Sequence, residues 1–274
     1  VTDISQTILT RKGARKGSEL AQNVLVLLNE GKIESVNLVE WQAVHHPTLL
    51  KHVLPTQVTA EELAAMSSEL TAQKAETGLK AIRLIGQQLH QIMKDQSLHK
   101  QEALLAFCSK HTSDSVRCWA AFLHQLQHHS LEEKLAYIYP FAADHHFGVR
   151  EIAWMSVRQN LADEMDRSIA LLTKWAQSDD ENIRRFSSEV IRPRGVWTKH
   201  IDLLKQQPEK AAPILEHLKS DPSTYVQDSV GNWLNDASKT QPEWVLHLCE
   251  RWDKESKTKA TARIIKKAKR TIEK

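Results

Sequence analysis

The chain has 274 residues, 41% of them hydrophobic, with 37 basic and 34 acidic side chains giving a formal net charge of +3. That length and apolar content suffice for a sizeable core in one continuous array, and the charge is too mild to mark a nucleic-acid binder unless the cations are gathered on one side. Eight glycines, eight prolines and no strand-like alternation with hairpin dipeptides exclude a β-fold and predict an all-helical protein.

The first seventeen residues carry Arg11, Lys12, Arg15 and Lys16 around two glycines, and are expected to form an arm that orders only against the body or a ligand. A helix is expected from Ser18 to about Asn29, ended by Gly31. A second element spans Asn37 to Val53 with an interruption at Pro47, and Pro55 closes it. Thr59 then caps an amphipathic stretch to about Gln73, and Glu76 to Lys94 reads as another. Residues 1–96 are thus expected to form an N-terminal arm and a helical cap on the segment 97–274.

From residue 97 the chain repeats. Asp114 to Arg117, Phe147 to Arg150, Glu181 to Arg184 and Ser223 to Gln227 each place an aliphatic residue and then a long polar one at the start of a helix. The aliphatic positions Val116, Val149, Ile183 and Val226 lie 33, 34 and 43 residues apart. Such a period marks stacked helical pairs, each burying its apolar face against its neighbours. The pairs predicted over 97–274 are Leu98 to Lys110 with Asp114 to Gln127, Leu131 to Ala143 with Val149 to Asn160, and Met165 to Ser178 with Asn182 to Ile191. Pro208 to Lys219 with Tyr225 to Ser238 come next, and then Pro242 to Trp252 with Lys257 onward. Pro208 and Pro242 are expected in first helical turns. The fold class expected is a right-handed α-α superhelix of HEAT-like repeats with a concave face suited to a long ligand, a peptide or a nucleic acid. The long third interval contains Arg192-Pro193-Arg194-Gly195, an irregularity that is a candidate for function.

Arg117, Arg150 and Arg184 share a register. They read either as a column of guanidinium groups meeting successive phosphates, or as a ladder in which each arginine pairs with an acidic residue of a neighbouring turn such as Asp114, Asp180 or Asp221. Arg185, one position on, is the better ligand candidate. Pro193 and Gly195 turn the chain sharply, so Arg192 and Arg194 are expected to project from a loop, with a loop kept soluble by charge as the alternative. Trp197, beside Lys199 and His200, is either a stacking platform for a sugar or base or a packing plug. Glu151 follows Arg150 and shares a helical face with Trp154; the pair either serves a developing cation on a sugar, the ring holding a sugar or base edge, or Glu151 is a capping or solvated glutamate. Asn232, Asn235, Asp236 and Lys239 line one face of the fourth repeat helix, for ligand contact or for hydrogen bonds between repeats.

Fourteen histidines include the pairs His45-His46, His128-His129 and His145-His146, and His124 and His128 are four apart. No zinc-binding histidine pattern accompanies them, and serine-nucleophile, phosphate-loop and dinucleotide signatures are absent, so neither metal nor cofactor is expected. Cys108, Cys118 and Cys249 are unclustered, which predicts reduced thiols in a cytoplasmic protein. The sequence shows no signal peptide, and no run approaches the roughly 18 apolar residues of a membrane span. The last helix, Arg263 to Arg270, is basic, as a polar cap on the array or as a phosphate-binding element.

Three of these segments, Tyr225 to Val245, Glu189 to Trp197 and Gly148 to Trp154, resemble the AlkC/AlkD superfamily of bacterial DNA-alkylation-repair proteins. The likeness runs from about Ser97 to Lys274 and leans to the AlkC-like branch, in which an Arg-Pro-Arg turn and a Ser-Val-x-Asn-x-Leu-Asn-Asp helix recur; Thr10 to Ala14 also resembles the start of a subset of these proteins. The resemblance implies a helical-repeat DNA glycosylase that holds double-stranded DNA on its concave face and removes cationic N3- or N7-alkylated purines; a monomer is expected. It implies Glu151 as the anion near the sugar, Arg185 as a phosphate clamp, and Trp154 or Trp197 as the sugar contact. Two features depart from the AlkD-type pattern: Asn232 stands where a site tryptophan is expected, with Trp233 one step off, and a Trp-Asp-x-x-x-Asp stretch is missing. Two other functions remain open, a non-catalytic DNA-structure binder on the same scaffold and a protein-interaction scaffold.

Overall fold

In the computed structural model, which describes residues 4–125 and 130–273, every regular element is helical. The helices are α1 (Gln6–Leu9), α2 (Gln22–Asn29), α3 (Leu38–Ala43), α4 (His46–Val53), α5 (Ala60–Ala72), α6 (Gly78–Met93), α7 (Leu98–Ser109), α8 (Asp114–Ala121) and α9 (Leu131–Ala142). They continue as α10 (Phe147–Asp163), α11 (Met165–Trp175), α12 (Glu181–Glu189), α13 (Asp202–Gln206), α14 (Ala212–Leu218), α15 (Thr224–Ser238), α16 (Pro242–Glu255) and α17 (Lys259–Ala268). The repeat pairs therefore form where the period places them, and Val116, Val149, Ile183 and Val226 are all 0% exposed. Burying such a side chain is worth about 1.5–3 kcal/mol, which is why the aliphatic position recurs while its flanks vary.

Local signals set most helix ends. Thr59 and Glu62 form a reciprocal capping box on α5, and Ser130 and Glu133 form another on α9. Asn37 caps α3 by accepting from the Glu40 amide at 3.0 Å. Three expectations shift. Ser18 lies in a 3-10 turn (Gly17–Glu19), and the first long helix starts only at Gln22, because the chain is extended at Leu20 and Ala21. The break in the second element falls at Val44 and His45, with Pro47 in the first turn of α4, where its missing N–H costs nothing. Pro208 opens a 3-10 turn (Pro208–Ala211) rather than a helix, and Pro213 occupies the first turn of α14. The His128-His129 pair, and with it the His124–His128 spacing, lies outside the described residues.

By internal packing the chain divides into two units, Val1–His129 with His146–Ala153, and Ser130–His145 with Trp154–Lys274. In the first, Leu49, Leu50, Leu54, Ile82, Ile85, Leu89 and Trp119 form a core. The N-terminal arm is tied onto this unit: Arg11 donates to both oxygens of Glu40 at 2.9 and 2.6 Å and to the carbonyls of Ile8 and Glu34. Glu40 is 1% exposed and also accepts the Val36 amide, so Arg11 neutralises a charge that would otherwise be stranded. Ser35, Asp114 and His146 make a second buried polar cluster, with Asp114 accepting the Ser35 amide and hydroxyl at 3.0 and 2.7 Å.

In the second unit, α11, α14 and α16 make one layer and α12, α15 and α17 the other, with each helix packed on its repeat partner and on its neighbours. Phe186, Trp233 and Trp252 fill the space between layers. At Gly231 a β-carbon would come within 2.8 Å of Lys267 Cβ, so glycine makes room on α15 for the stem of Lys267 from α17. All three cysteines carry free, buried thiols, and burial pushes the Cys108 thiol up to about 12 and the Cys249 thiol up to about 11, leaving both unreactive.

Candidate nucleic-acid interface

Helices α12 and α15 of the second unit carry Arg184, Arg185, Asn232, Asn235 and Asp236 among the polar residues singled out in the sequence. Their facing sides hold a buried ionic network. Glu189, the last residue of α12, accepts from Arg192 Nη1 at 2.9 Å and from the Ser229 hydroxyl at 2.7 Å, and lies 3.6 Å from Arg185 Nη2. Asp236, near the end of α15, accepts from Arg192 Nε and Nη2 at 3.0 and 2.8 Å and pairs with Lys239 at 3.3 Å. Burial alone would raise the Glu189 carboxyl, but Arg185 and Arg192 outweigh it and hold the group below the ordinary carboxylate range. Two carboxylates and two guanidinium groups thus cancel inside the unit.

Several expectations are corrected by this network. Arg192 does not project from its loop; it is 8% exposed and bridges α12 to α15. Arg185, also 8% exposed, lies over the Tyr225 ring at 4.8 Å as well as beside Glu189, so it is a structural cation rather than an outward clamp. Arg184 follows the ladder reading: it grips Asp221 through Nε and Nη2 at 2.6 and 3.1 Å and donates to the carbonyls of Ser178 and Asp179. Arg117 does the same on α8, binding the carbonyls of His111 and Thr112 and pairing with Glu34. Both arginines reach back five and six residues, so the shared register closes the turn before each helix. Gln227 keeps the motif without the charge, donating to the Asp221 carbonyl at 2.8 Å. Asn235 is buried and accepts from Thr271, a bond between repeats, whereas Asn232 is half-buried.

Trp154 is 2% exposed, so its ring packs in the core and does not reach out to a sugar. Trp233 is likewise buried, its indole N–H donating to the Ile191 carbonyl at 3.1 Å. Glu151 and Arg150 are half-buried in the first turns of α10, in the first unit. What does reach the surface is the irregular segment: Val196 is 50% and Trp197 55% exposed, with Lys199 and His200 exposed beside them. Arg194 is half-buried and donates to the Asp236 carbonyl at 3.3 Å, so Arg194 and Lys239 meet at the C-terminal end of α15. On α17, Arg263 and Lys267 pair with Asp228, while Lys266, and Arg270 in the 3-10 turn Lys269–Thr271 that follows, are exposed.

Sequence reasoning missed Glu189 and Arg158. Arg158 is 4% exposed and donates to the carbonyls of Val190 and Arg192, both at 2.6 Å, and of Lys199. A signal existed: Trp154, Val157 and Leu161 form a core stripe at helical spacing, and Arg158 stands within it. Among the described residues, no group of three or more histidine, cysteine, aspartate or glutamate side chains is arranged to hold a metal ion, and no helix is long and apolar enough to cross a membrane.

A family model described as DNA alkylation repair enzyme matches residues 151–270. The Pseudomonas fluorescens alkylpurine DNA glycosylase AlkC, solved bound to DNA containing an abasic site analog, is similar over 82% of this chain and 62% of its own, at 27% identity and a TM-score of 0.64. The likeness is thus to the AlkC/AlkD superfamily. Streptococcus mutans AlkD2 has a similar fold, at 23% identity and a TM-score of 0.57, over 74% of this chain and 97% of that one. An uncharacterized Bacillus subtilis (strain 168) protein, YhaZ, is 42% identical over 97 residues, 35% of this chain and 27% of that protein. The chain therefore spans about three fifths of the AlkC structure and about a quarter of YhaZ. The Arg-Pro-Arg segment and the α15 helix that carry the superfamily resemblance turn out to be the two sides of the buried network, so much of that signature is structural.

Proposed function

We propose that this protein binds double-stranded DNA and hydrolyses the N-glycosidic bond of cationic N3- or N7-alkylated purines, without metal or cofactor. The observation that carries the reading is the likeness to AlkC, a glycosylase bound to DNA with an abasic site analog, over most of this chain. An alkylated purine already bears positive charge and is a good leaving group. The protein then needs mainly an anion near C1′, to stabilise the oxocarbenium-like sugar and to orient the attacking water. Glu189 and Asp236 are poor candidates, because both are buried and their charges are neutralised by arginine. Glu151 is the acid we assign to that role; it is half-buried and stands at the first residue of the matched family segment. Arg194, Lys199, Lys239, Lys266 and Arg270 are the cations we assign to phosphates, with Arg150 near Glu151 in sequence. Release of 3-methyladenine or 7-methylguanine from methylated duplex DNA tests this directly. The wild-type chain should release one or both, and Glu151→Gln should lose release while still binding DNA.

A second reading, a DNA-structure binder that does not excise, is favoured by one observation. The tryptophans of α10 and α15, Trp154 and Trp233, are both buried, so neither helix offers an exposed indole to a sugar. Salt-sensitive binding with no release from any lesion would select it.

A further inference from the structure

An open groove of about 450 Å³ runs between α9 and α11 of the second unit, with Leu135, Ala136, Tyr139, Pro140, Leu171 and Trp175 as its floor and walls. On α9, Tyr139 and Pro140 lie three and four residues beyond Ala136, so the three share one face, and all are exposed, Tyr139 by 43%. A helix face turned to water ordinarily carries polar residues. Tyr139 stands edge-on to Trp175 at 5.2 Å, and Phe186 of α12 backs Trp175 at 5.0 Å, so the aromatic wall is held from behind.

Pro140 lies inside α9, where it offers no N–H to the Ala136 carbonyl four residues back and its ring crowds the preceding turn. Nearly any other residue at this exposed position would make a more stable helix, and a local preference broken without a packing gain points to function. The proline leaves a backbone acceptor without its helix donor, on the side of α9 that lines the groove. The two ends of the groove differ in charge. At one, Arg167 binds both oxygens of Glu132 at 3.0 and 2.5 Å and also holds Glu164 at 3.2 Å, so that carboxylate is neutralised on the spot. At the other, beside Trp175, Lys174 is exposed and among the described residues pairs with no carboxylate.

We propose that this groove is a docking site for an acidic segment of a partner protein, which inserts one tryptophan ring. An indole is apolar except for a single N–H donor, and so matches apolar walls that contain one unpaired acceptor. The ring would lie against Tyr139, Pro140 and Leu171 with its N–H on the Ala136 carbonyl, and a neighbouring carboxylate of the segment would meet Lys174. None of the cations assigned to phosphates stands on α9 or α11, so this docking does not depend on DNA binding and leaves it open.

The probe is a fluorescein-labelled decapeptide, capped at both ends, with a central tryptophan flanked by aspartates; binding is followed by fluorescence anisotropy. Wild type should bind it saturably, and peptides with alanine for the tryptophan or lysines for the aspartates should bind about tenfold more weakly or worse. Tyr139→Ala should lose about tenfold and Lys174→Glu about fivefold. Pro140→Ala returns an N–H to the Ala136 carbonyl, so it should raise the thermal midpoint and still weaken the peptide by about threefold to tenfold. Phenylalanine in place of the peptide's tryptophan should cost about threefold with wild type and nothing with Pro140→Ala, whose acceptor is already paired. No saturable binding below about 1 mM, or equal binding by wild type, Tyr139→Ala and Lys174→Glu, would overturn the proposal. So would a wild-type dimer in sedimentation that Tyr139→Ala converts to monomer, because the groove would then be covered by a second copy of this chain.

Discussion

On α12, Arg184 and Arg185 face Asp221, Glu189 and Tyr225 within the protein, whereas seven residues beyond that helix Val196 and Trp197 reach the solvent with Lys199 and His200 beside them. The two regions are neighbours in sequence and both are rich in cations, yet the helix neutralises its charges internally, together with Arg192 at the start of the irregular segment, while the end of that segment displays them. The reason is geometric. Residues in the repeat register face the next repeat by construction, so a long cation there meets the neighbour's turn carbonyls and carboxylates first. An insertion escapes the register, and its side chains are free to point outward once its backbone is tied down.

The comparison predicts opposite effects of mutation in the two regions. The largest is expected in the network. Asp236→Ala would strand Arg192 in a buried site with only Glu189, and loss of one partner of a buried pair typically costs about 3–5 kcal/mol. Urea unfolding followed by circular dichroism should show a marked fall in midpoint at unchanged slope. A destabilisation below about 1 kcal/mol would mean that the α12–α15 face is better hydrated than its burial indicates.

Acid gives a gentler probe of the same face. The folded-state pKa of Glu189 is depressed, so the folded protein binds fewer protons there than the unfolded chain; the stabilisation is fully present above the ordinary carboxylate range and is lost as pH falls through the folded pKa. Stability should therefore hold near neutrality and decline below about pH 4. Glu189→Gln should be less stable at pH 7 and show a shallower decline with acid. A parallel pH profile for the two proteins would remove Glu189 from the account.

How much of the molecule is visible in the sequence depends on whether a residue acts through its type or through its partners. Val116, Val149, Ile183 and Val226 declare themselves, because apolar burial at a fixed period needs nothing but the residue and its spacing. Thr59 with Glu62 is equally local. Arg184, Arg185 and Arg192 stand out by type, but whether a guanidinium faces a phosphate or an internal carboxylate is decided by residues up to 44 positions away, such as Asp236 for Arg192. Asn235 and Asp236 give the clearest hint, since polar residues filling a helix face beside a regular stack have the next repeat to bond to. Glu189 belongs to a recognisable motif yet escapes notice there because it lies close to apolar residues, the position that a buried carboxylate with two arginine partners occupies. Trp197 is legible as a candidate from its charged neighbours, while its left-handed backbone and the arginine beneath it belong to tertiary structure alone.

The smallest effects on stability, and the sharpest separation between the regions, are expected from Arg194→Ala and Lys239→Ala. Arg194 donates to the Asp236 backbone carbonyl at 3.3 Å, and Lys239 pairs with a carboxylate that Arg192 already provides with two donors; an ion pair through a side chain as exposed as that of Lys239, at 40%, contributes about 0–1 kcal/mol. Folding should therefore be nearly unchanged. If these cations meet DNA, each replacement removes one phosphate contact, and the slope of log affinity against log salt concentration should become shallower by about 0.9 per residue. Because Arg194 and Lys239 converge on the same end of α15, the double variant should lose roughly the sum, about 1.8, if they bind separate phosphates, and about half of that if they share one. An unchanged slope in both single variants, with DNA still bound, would move the phosphate contacts off the α15 end and onto Lys266 of α17 and Arg270 just beyond it, which are exposed and one repeat further along the chain.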